Sequence, residues 1–307
     1  MIEYGVLQHG MMLGDTRRLG AYVEALEQVV FPGAVVADIG SGTAIFALVA
    51  CRAGARRVFA IEPGHIMHTA REIVAANGCG DRIECLAARS TEVSLPERAD
   101  VVVLDVRGVL PDEQMAIAAD ARRRLLKPGG TIVPALDTVW AALVTAPEAY
   151  EHRVGVWRHD EEGVDLSPVA HAMANGRYKS RFRVEQLVVE PQVVWRCDYG
   201  ADEIVERRAT LGWTVGKTAL VHGVAVWFDS VLAPNVEFSN HPGAPELLYG
   251  QAFFPWLEPV GLTPGDEVRL GLHARPTGGG YRWDWTTTVQ RHASPTAMQF
   301  EQTVTIE

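Results

Sequence analysis

The residues with the clearest chemical meaning form a glycine turn, Asp38-Ile39-Gly40-Ser41-Gly42-Thr43-Ala44. Glycines there let the backbone bend sharply and let a ligand come close. The dinucleotide pattern GxGxxG fails, because Ile45 stands three residues after Gly42. No phosphate-cradling P-loop sequence is present either. What remains is Asp38 before the glycines, Ser41 between them, and Glu62-Pro63 after the next apolar run. A carboxylate at Glu62 can accept hydrogen bonds from both hydroxyls of a ribose. A ribose without a pyrophosphate points to S-adenosyl-L-methionine, which becomes S-adenosyl-L-homocysteine on losing its methyl group. A purely structural strand–turn–helix is the competing reading of the glycine turn alone.

Other reactive side chains are scattered. His9, His222 and His241 are the histidines that could act as bases, although lone histidines are usually structural or exposed. Cys51, Cys79, Cys85 and Cys197 show no CxxC spacing, so the expectation is reduced thiols and no zinc or redox motif. No metal-ligand constellation is visible.

These residues need a scaffold. From about residue 15 to 145, short apolar runs alternate with helix-spaced stripes. Asp15 is placed to cap a helix through Val30. Strands are expected at Val35–Asp38, Val58–Glu62, Ile83–Leu86, Asp100–Asp105 and Thr131–Pro134. Helices are expected at Ile45–Ala53, His65–Ala76 and Glu113–Leu126. Alternation of this kind predicts a parallel sheet with right-handed crossovers. After about residue 136 the helices thin out. Gln186–Val189, Gln192–Trp195, Thr218–Phe228, Val268–His273 and Tyr281–Val289 read as short strands of an antiparallel sandwich or barrel. One helical stretch, 168–178, interrupts them. The fold class is therefore an α/β Rossmann-like domain, residues 1–135, followed by a β-rich sandwich or barrel, residues 136–307, with a helical arm.

Composition sets outer limits. The chain has 307 residues, with 28 Lys and Arg against 38 Asp and Glu, a net charge of −10. Nucleic acid and anionic membrane would repel such a chain, so neither is an expected partner. No apolar stretch reaches the roughly 18 residues of a membrane span, and the first residues lack the pattern of a signal peptide. The expectation is a cytoplasmic globular protein.

The sequence resembles the protein arginine methyltransferases, a branch of the class I methyltransferases, over about residues 4–290. His9-Gly10-Met11-Met12-Leu13-Gly14-Asp15-Thr16-Arg17-Arg18 is similar to that family's H-x-x-M-L-x-D-x-x-R segment. By that resemblance the segment closes over the cofactor, Met12 packs on it and Arg18 pairs with its carboxylate. Ala88-Arg89-Ser90-Thr91 falls where the family contacts adenine, with Thr91 in place of the usual glutamate. Ala44 stands where the family has a third glycine. The β-rich half corresponds to the family's substrate barrel and residues 168–178 to its dimerisation arm, which implies a homodimer.

Two loops depart from the resemblance. The family carries two glutamates after the fourth strand, which hold a guanidinium by its planar fork of donors. Here Asp105 stands at the first place, one methylene shorter, and Glu113 is the candidate for the second. Arg107 is new, and a cation there would oppose a second guanidinium. The family's T-H-W loop is replaced by Leu248-Tyr249 in a stretch that includes Glu246. The expectation is retained methyl transfer, with Asp105, Glu113 and Arg107 as catalytic candidates. The acceptor is then a small molecule or peptide, methylated on nitrogen, and Arg107 points to an anionic group on it unless Arg107 pairs internally. Tyr4, Glu246 and Tyr249 are acceptor-binding candidates. Trp256, Trp283 and Trp285 could line the same pocket or belong to the core. The alternatives are a true protein or free arginine N-methyltransferase using Asp105 and Glu113, and a non-catalytic cofactor-binding subunit.

Overall fold

Val35–Ile39 (β1) is apolar apart from Asp38 and wholly buried, as a strand covered on both faces must be. It lies at the centre of a five-stranded sheet with Arg57–Ile61 (β2), Ile83–Leu86 (β3), Ala99–Leu104 (β4) and Leu126–Val133 (β5). The order is β3-β2-β1-β4-β5, and every pairing is parallel. The computed structural model describes residues 4–158, 163–201, 203, 205–277, 280–292 and 297–304, the side chain of Glu113 excepted.

The helices of this half are Val6–Gly14 (α1), Thr16–Val29 (α2), Ile45–Arg52 (α3), Met67–Ala76 (α4) and Asp112–Arg124 (α5). Asp15 caps α2 by accepting the Arg18 N–H at 3.1 Å. Tyr22, Ala25 and Leu26, spaced three and four apart, bury one face of α2. They join Ala47, Leu48 and Cys51 of α3, Ala70 and Val74 of α4, and Val36, Val58 and Val101 of the sheet in one core. Helix α1 differs: none of its residues is buried. The strand expected at Thr131–Pro134 begins earlier, at Leu126, because Ala99 pairs with Leu126 and the ladder resumes after an irregularity.

The chain divides into two compact units. One comprises Met1–Asp137, Cys197–Ile204 and Ser230–Phe238; the other comprises Thr138–Arg196, Val205–Asp229 and Ser239–Glu307. The first break falls close to the expected boundary near residue 136, but two later segments return to the first unit. Ala135 donates its N–H to the Val231 carbonyl at 2.9 Å, and Leu232, Ala233 and Val236 enter the first core. Such returns leave no periodic trace in a sequence.

The remaining strands are Leu136–Val144 (β6), Tyr178–Ser180 (β7), Gln192–Asp198 (β8), Arg207–Thr214 (β9), Ala219–Ala233 (β10), Val236–Ser239 (β11), Gln251–Leu262 (β12), Glu267–Thr277 (β13), Gly280–Gln290 (β14) and Ala297–Thr303 (β15). One sheet runs β7-β12-β10-β6-β8, with β11 on β10; another runs β15-β14-β13-β9. Pro147–Arg153 (α6) and Ser167–Ala174 (α7) pack through Tyr150, Ala170 and Ala174 against Ala142, Val144 and Trp227. The arm helix therefore stops before Tyr178, which opens β7. The expected strand at Gln186–Val189 is a 3-10 turn over Val184–Gln186 with a single bridge from Leu187 to Val144. Strand β12 escapes a sequence reading because Pro255 and Pro259 argue against a strand; Pro255 sits opposite Gly223, beside a break in the β10–β12 register.

Candidate cofactor and acceptor site

The register of the parallel sheet gathers three of the singled-out residues on one rim. Ile39 at the end of β1 aligns with Ile61 of β2 and with Leu104 of β4. The next residues along each strand are Gly40, Glu62 and Asp105. The strand order reverses direction between β1 and β4, and open α/β sheets bind ligands outside the carboxyl ends at such a switch point.

The turn after β1 is built to stay open. The Gly40 and Ser41 N–H groups both donate to the Ile61 carbonyl, at 2.9 and 3.1 Å. Gly40 has φ +71 and a Cβ there would lie 2.3 Å from Val106 Cγ1; Gly42 has φ +50 and would meet the His9 ring at 2.9 Å. Ala44 takes the left-handed conformation, φ +62, that the family's third glycine would adopt without a Cβ penalty. Glu62 Oε2 accepts the Gly42 N–H at 3.2 Å and Oε1 accepts the Gly64 N–H at 2.7 Å. Each carboxylate oxygen has further lone pairs to offer. Asp38 is fully buried, and its Oδ2 accepts the Ala47 N–H at 2.9 Å. Its Oδ1 and the Ser41 Oγ are buried without a hydrogen-bond partner. Burial pushes the Asp38 carboxyl up to about 7, helped by Glu62 and Asp105 and opposed by the Ala47 bond. A nucleoside cofactor fits this donor and acceptor set: a tight glycine approach, a carboxylate facing it, and buried oxygens in reserve.

Asp105 lies within an alternating chain of charge. Arg18 ion-pairs with its Oδ2 and also donates to the Met12 carbonyl at 2.7 Å. The Arg107 Nε stands 3.5 Å from the Asp105 Oδ1. The same guanidinium reaches Asp137 at 3.2 Å, the Ser230 hydroxyl at 3.0 Å and the Tyr22 hydroxyl at 3.3 Å. Its side chain is 0% exposed, and the ring of Phe238 lies 5.5 Å from its central carbon. The Tyr199 hydroxyl donates to the other Asp137 oxygen at 2.6 Å. Burial raises the Tyr22 and Tyr199 hydroxyls well above the usual phenol range, so both stay donors. Of the two readings of Arg107, an acceptor-facing cation or an internal pair, the structure shows the internal pair: two carboxylates compensate a buried guanidinium.

The other candidates are placed as follows. Pro63 and Arg89 are exposed, and Met12 and Ala88 are half-buried. Ser90 is buried and its carbonyl accepts Arg124 at 2.6 Å. Glu113 is in the first turn of α5; its side chain lies outside the described residues. His9 packs at Gly42, and burial lowers its pKa against the opposing pull of Glu62. Tyr4 is exposed and meets the His9 ring edge-on at 6.4 Å. Within the second unit, Glu246 is exposed and pairs with Arg181 at 2.7 Å. Tyr249 is buried against Phe228. Trp256, Trp283 and Trp285 are core residues there, each at most 2% exposed. His222 is buried and accepts the Ala146 N–H at 3.2 Å, a structural role. His241 stands edge-on to Trp227 at 5.2 Å. Among the described residues no cluster of His, Cys, Asp and Glu could hold a metal ion, and no helix is long and apolar enough to cross a membrane.

Residues 36–130 match the family described as "Methyltransferase domain". Similar proteins include the probable protein arginine N-methyltransferase 6 of Arabidopsis thaliana, 32% identical over 77% of this chain and 55% of that one. The arginine N(omega)-methyltransferase of Streptomyces achromogenes subsp. streptozoticus is 28% identical over 86% of this chain and 75% of that one. Among solved structures, the Trypanosoma brucei PRMT1 enzyme–prozyme complex superposes with TM-score 0.85 at 22% identity, covering 96% of each chain. This chain carries a class I S-adenosylmethionine-dependent methyltransferase domain and resembles the protein arginine methyltransferases. It spans 55% of the length of each of the first four curated relatives.

Sequence reasoning missed five polar residues of the first unit, Gln114 among them. Gln114 is fully buried, and its Oε1 accepts the Val106 N–H at 3.2 Å, tying α5 to the loop that carries Asp105 and Arg107. Its Nε2 is buried without a partner. Its position beside Glu113 in a helical first turn was the only available signal. Tyr22, Asp137, Tyr199 and Ser230 were also missed; each reads as an ordinary residue until the fold brings it to Arg107.

Proposed function

We propose that this protein is an S-adenosyl-L-methionine-dependent N-methyltransferase with a guanidino acceptor, free or peptidyl arginine. The observation that carries the reading is the common rim of Gly40, Glu62 and Asp105 at the switch point of the sheet. The bound cofactor supplies an electrophilic methyl group on a sulfonium sulfur. Glu62 offers lone pairs to the ribose hydroxyls, Gly40 and Gly42 permit close approach, and Arg18, which pairs here with Asp105, would by the family resemblance also hold the cofactor's carboxylate. Asp105 would align the acceptor nitrogen and accept the proton that the nitrogen loses on methylation.

The acceptor class is supported by two features. Asp105 stands between the guanidiniums of Arg18 and Arg107, so its carboxylate suits such a group. Arg107 is committed to Asp137, Ser230 and Tyr22, which removes the reason for expecting an anionic acceptor. Both curated relatives named above are arginine methyltransferases by name. A small-molecule or peptide amine is the second reading, favoured by Leu248 at the place of the family's histidine.

Labelled cofactor, offered with arginine, an arginine-rich peptide and a panel of amines, tests the proposal by mass spectrometry. Methyl groups on the guanidino nitrogens are expected. Methylation of amines alone would transfer the assignment to the second reading. Calorimetric binding of S-adenosyl-L-homocysteine without any turnover would favour a non-catalytic subunit. Glu62→Ala should weaken that binding roughly tenfold or more, the loss of about 1.5–3 kcal/mol for hydrogen bonds to a charged group.

A further inference from the structure

We propose that Cys51 and Cys79 are a covalent modification site, forming a disulfide that closes the segment carrying Glu62 into a ring. Cys51 is near the end of α3, and Cys79 lies in the turn after α4. The sequence places 27 residues between them, yet their sulfurs meet at 2.9 Å. That is inside ordinary sulfur–sulfur contact and roughly 0.9 Å beyond a bonded pair. Both residues are buried, at 1% and 4% exposure.

The pairing does not depend on the thiols themselves. Arg82 donates its side chain to the Cys51 carbonyl at 2.8 Å and its backbone N–H to the Cys79 carbonyl at 3.0 Å. Arg52 donates to Asn77 Oδ1 at 2.8 Å, again joining α3 to the turn. The backbones are therefore held together before any bond forms, which gives the two sulfurs a high effective concentration. Burial and the neighbouring Cys79 raise the Cys51 thiol to about 11, so Cys51 is poorly suited to react first. Cys79 sits between Gly78 and Gly80, both exposed, in a turn that can open locally.

The chemistry is thiol–disulfide exchange with a low-molecular-weight disulfide. The Cys79 thiolate attacks one sulfur of the small disulfide, whose other half leaves as a thiolate and takes the Cys79 proton. The Cys51 thiolate then attacks the Cys79 sulfur of the mixed disulfide. The Cys51–Cys79 bond forms, and the second small thiol leaves with the Cys51 proton. Two protein thiols are oxidised and one small disulfide is reduced to two thiols. The ring so formed contains β2, Glu62 and α4.

The test is incubation of the full chain in buffers of reduced and oxidised glutathione, followed by alkylation, digestion and mass spectrometry. The expected product is one peptide pair joined through Cys51 and Cys79, with Cys85 and Cys197 alkylated. Cys79→Ser should abolish it and Cys85→Ala should leave it unchanged. The oxidised protein should melt roughly 5 °C or more above the reduced one, because the bond restricts the unfolded chain. Four alkylated cysteines at every glutathione ratio, including after refolding in the oxidised buffer, would overturn the proposal. So would a bridge to Cys85 or Cys197, or a bridged protein with an unchanged melting point.

Discussion

Asp38 and Arg107 show how differently one fold treats two charges. Asp38 receives one backbone bond and no cation, so burial keeps its proton on: its pKa rises from 3.8 to about 7. A raised carboxyl contributes stability that is full below pH 3.8 and is lost as pH climbs to about 7, by at most about 4 kcal/mol over roughly three units. Asp38→Asn cannot ionise. The difference in Tm between variant and parent should therefore move in the variant's favour from pH 4 to 7, which a thermal-melt series will record. Arg107 is compensated instead by Asp105 and Asp137. Arg107→Met leaves Asp137 buried with Tyr199 alone, and should cost about 3–5 kcal/mol in denaturant unfolding. Arg107→Met combined with Asp137→Leu should recover most of that loss. Equal losses in the single and double variants would show that the pair is not what Arg107 supplies. The presence of Arg107 in the loop was plain in the sequence; its partners at positions 22, 137, 199 and 230 were not, since no local pattern links them.

At the scale of elements, the β1–turn–α3 unit was legible because strand, glycines and helix are contiguous. Its relation to the Asp105 loop was not. A Cβ at Gly40 would meet that loop at Val106, whereas one at Gly42 would meet the His9 ring of α1. Gly40→Ala would drive a Cβ to 2.3 Å from Val106 Cγ1 and displace a loop held to α5 by Gln114. Gly42→Ala meets a side chain that can turn aside, although both positions carry the left-handed strain of about 1 kcal/mol. Binding of S-adenosyl-L-homocysteine, measured by calorimetry with circular dichroism as the folding control, should fall further in Gly40→Ala than in Gly42→Ala. The reverse order would mean that α1, rather than the Asp105 loop, governs access. Helix α1 was expected to close over the cofactor; none of its residues is buried, and His9, Met12 and Leu13 are half-buried.

On the scale of the whole molecule, the first unit is discontinuous in sequence. Ser230–Phe238 contributes Ser230 and Phe238 to Arg107, and Leu232, Ala233 and Val236 to the core around β1 and β4. Hydrogen exchange in mild denaturant should therefore protect the amides of 231–237 in step with those of β1 and β4. Exchange in step with β13 and β14 would contradict the division. The net charge of −10 bears on none of this; it acts through long-range repulsion, whereas the surroundings of Asp105 are set by a few buried pairs.

The sequence alone determined the nucleoside-type glycine turn, the acidic residue after the second strand and the alternation that makes a parallel sheet. These are local signals, readable from neighbours within a few residues. Only the tertiary structure decided that Arg107 is internally paired, that Asp105 stands between two guanidiniums, and that Cys51 faces Cys79. Those outcomes depend on which distant residues share one low-dielectric volume, where an unpaired charge is too costly to persist.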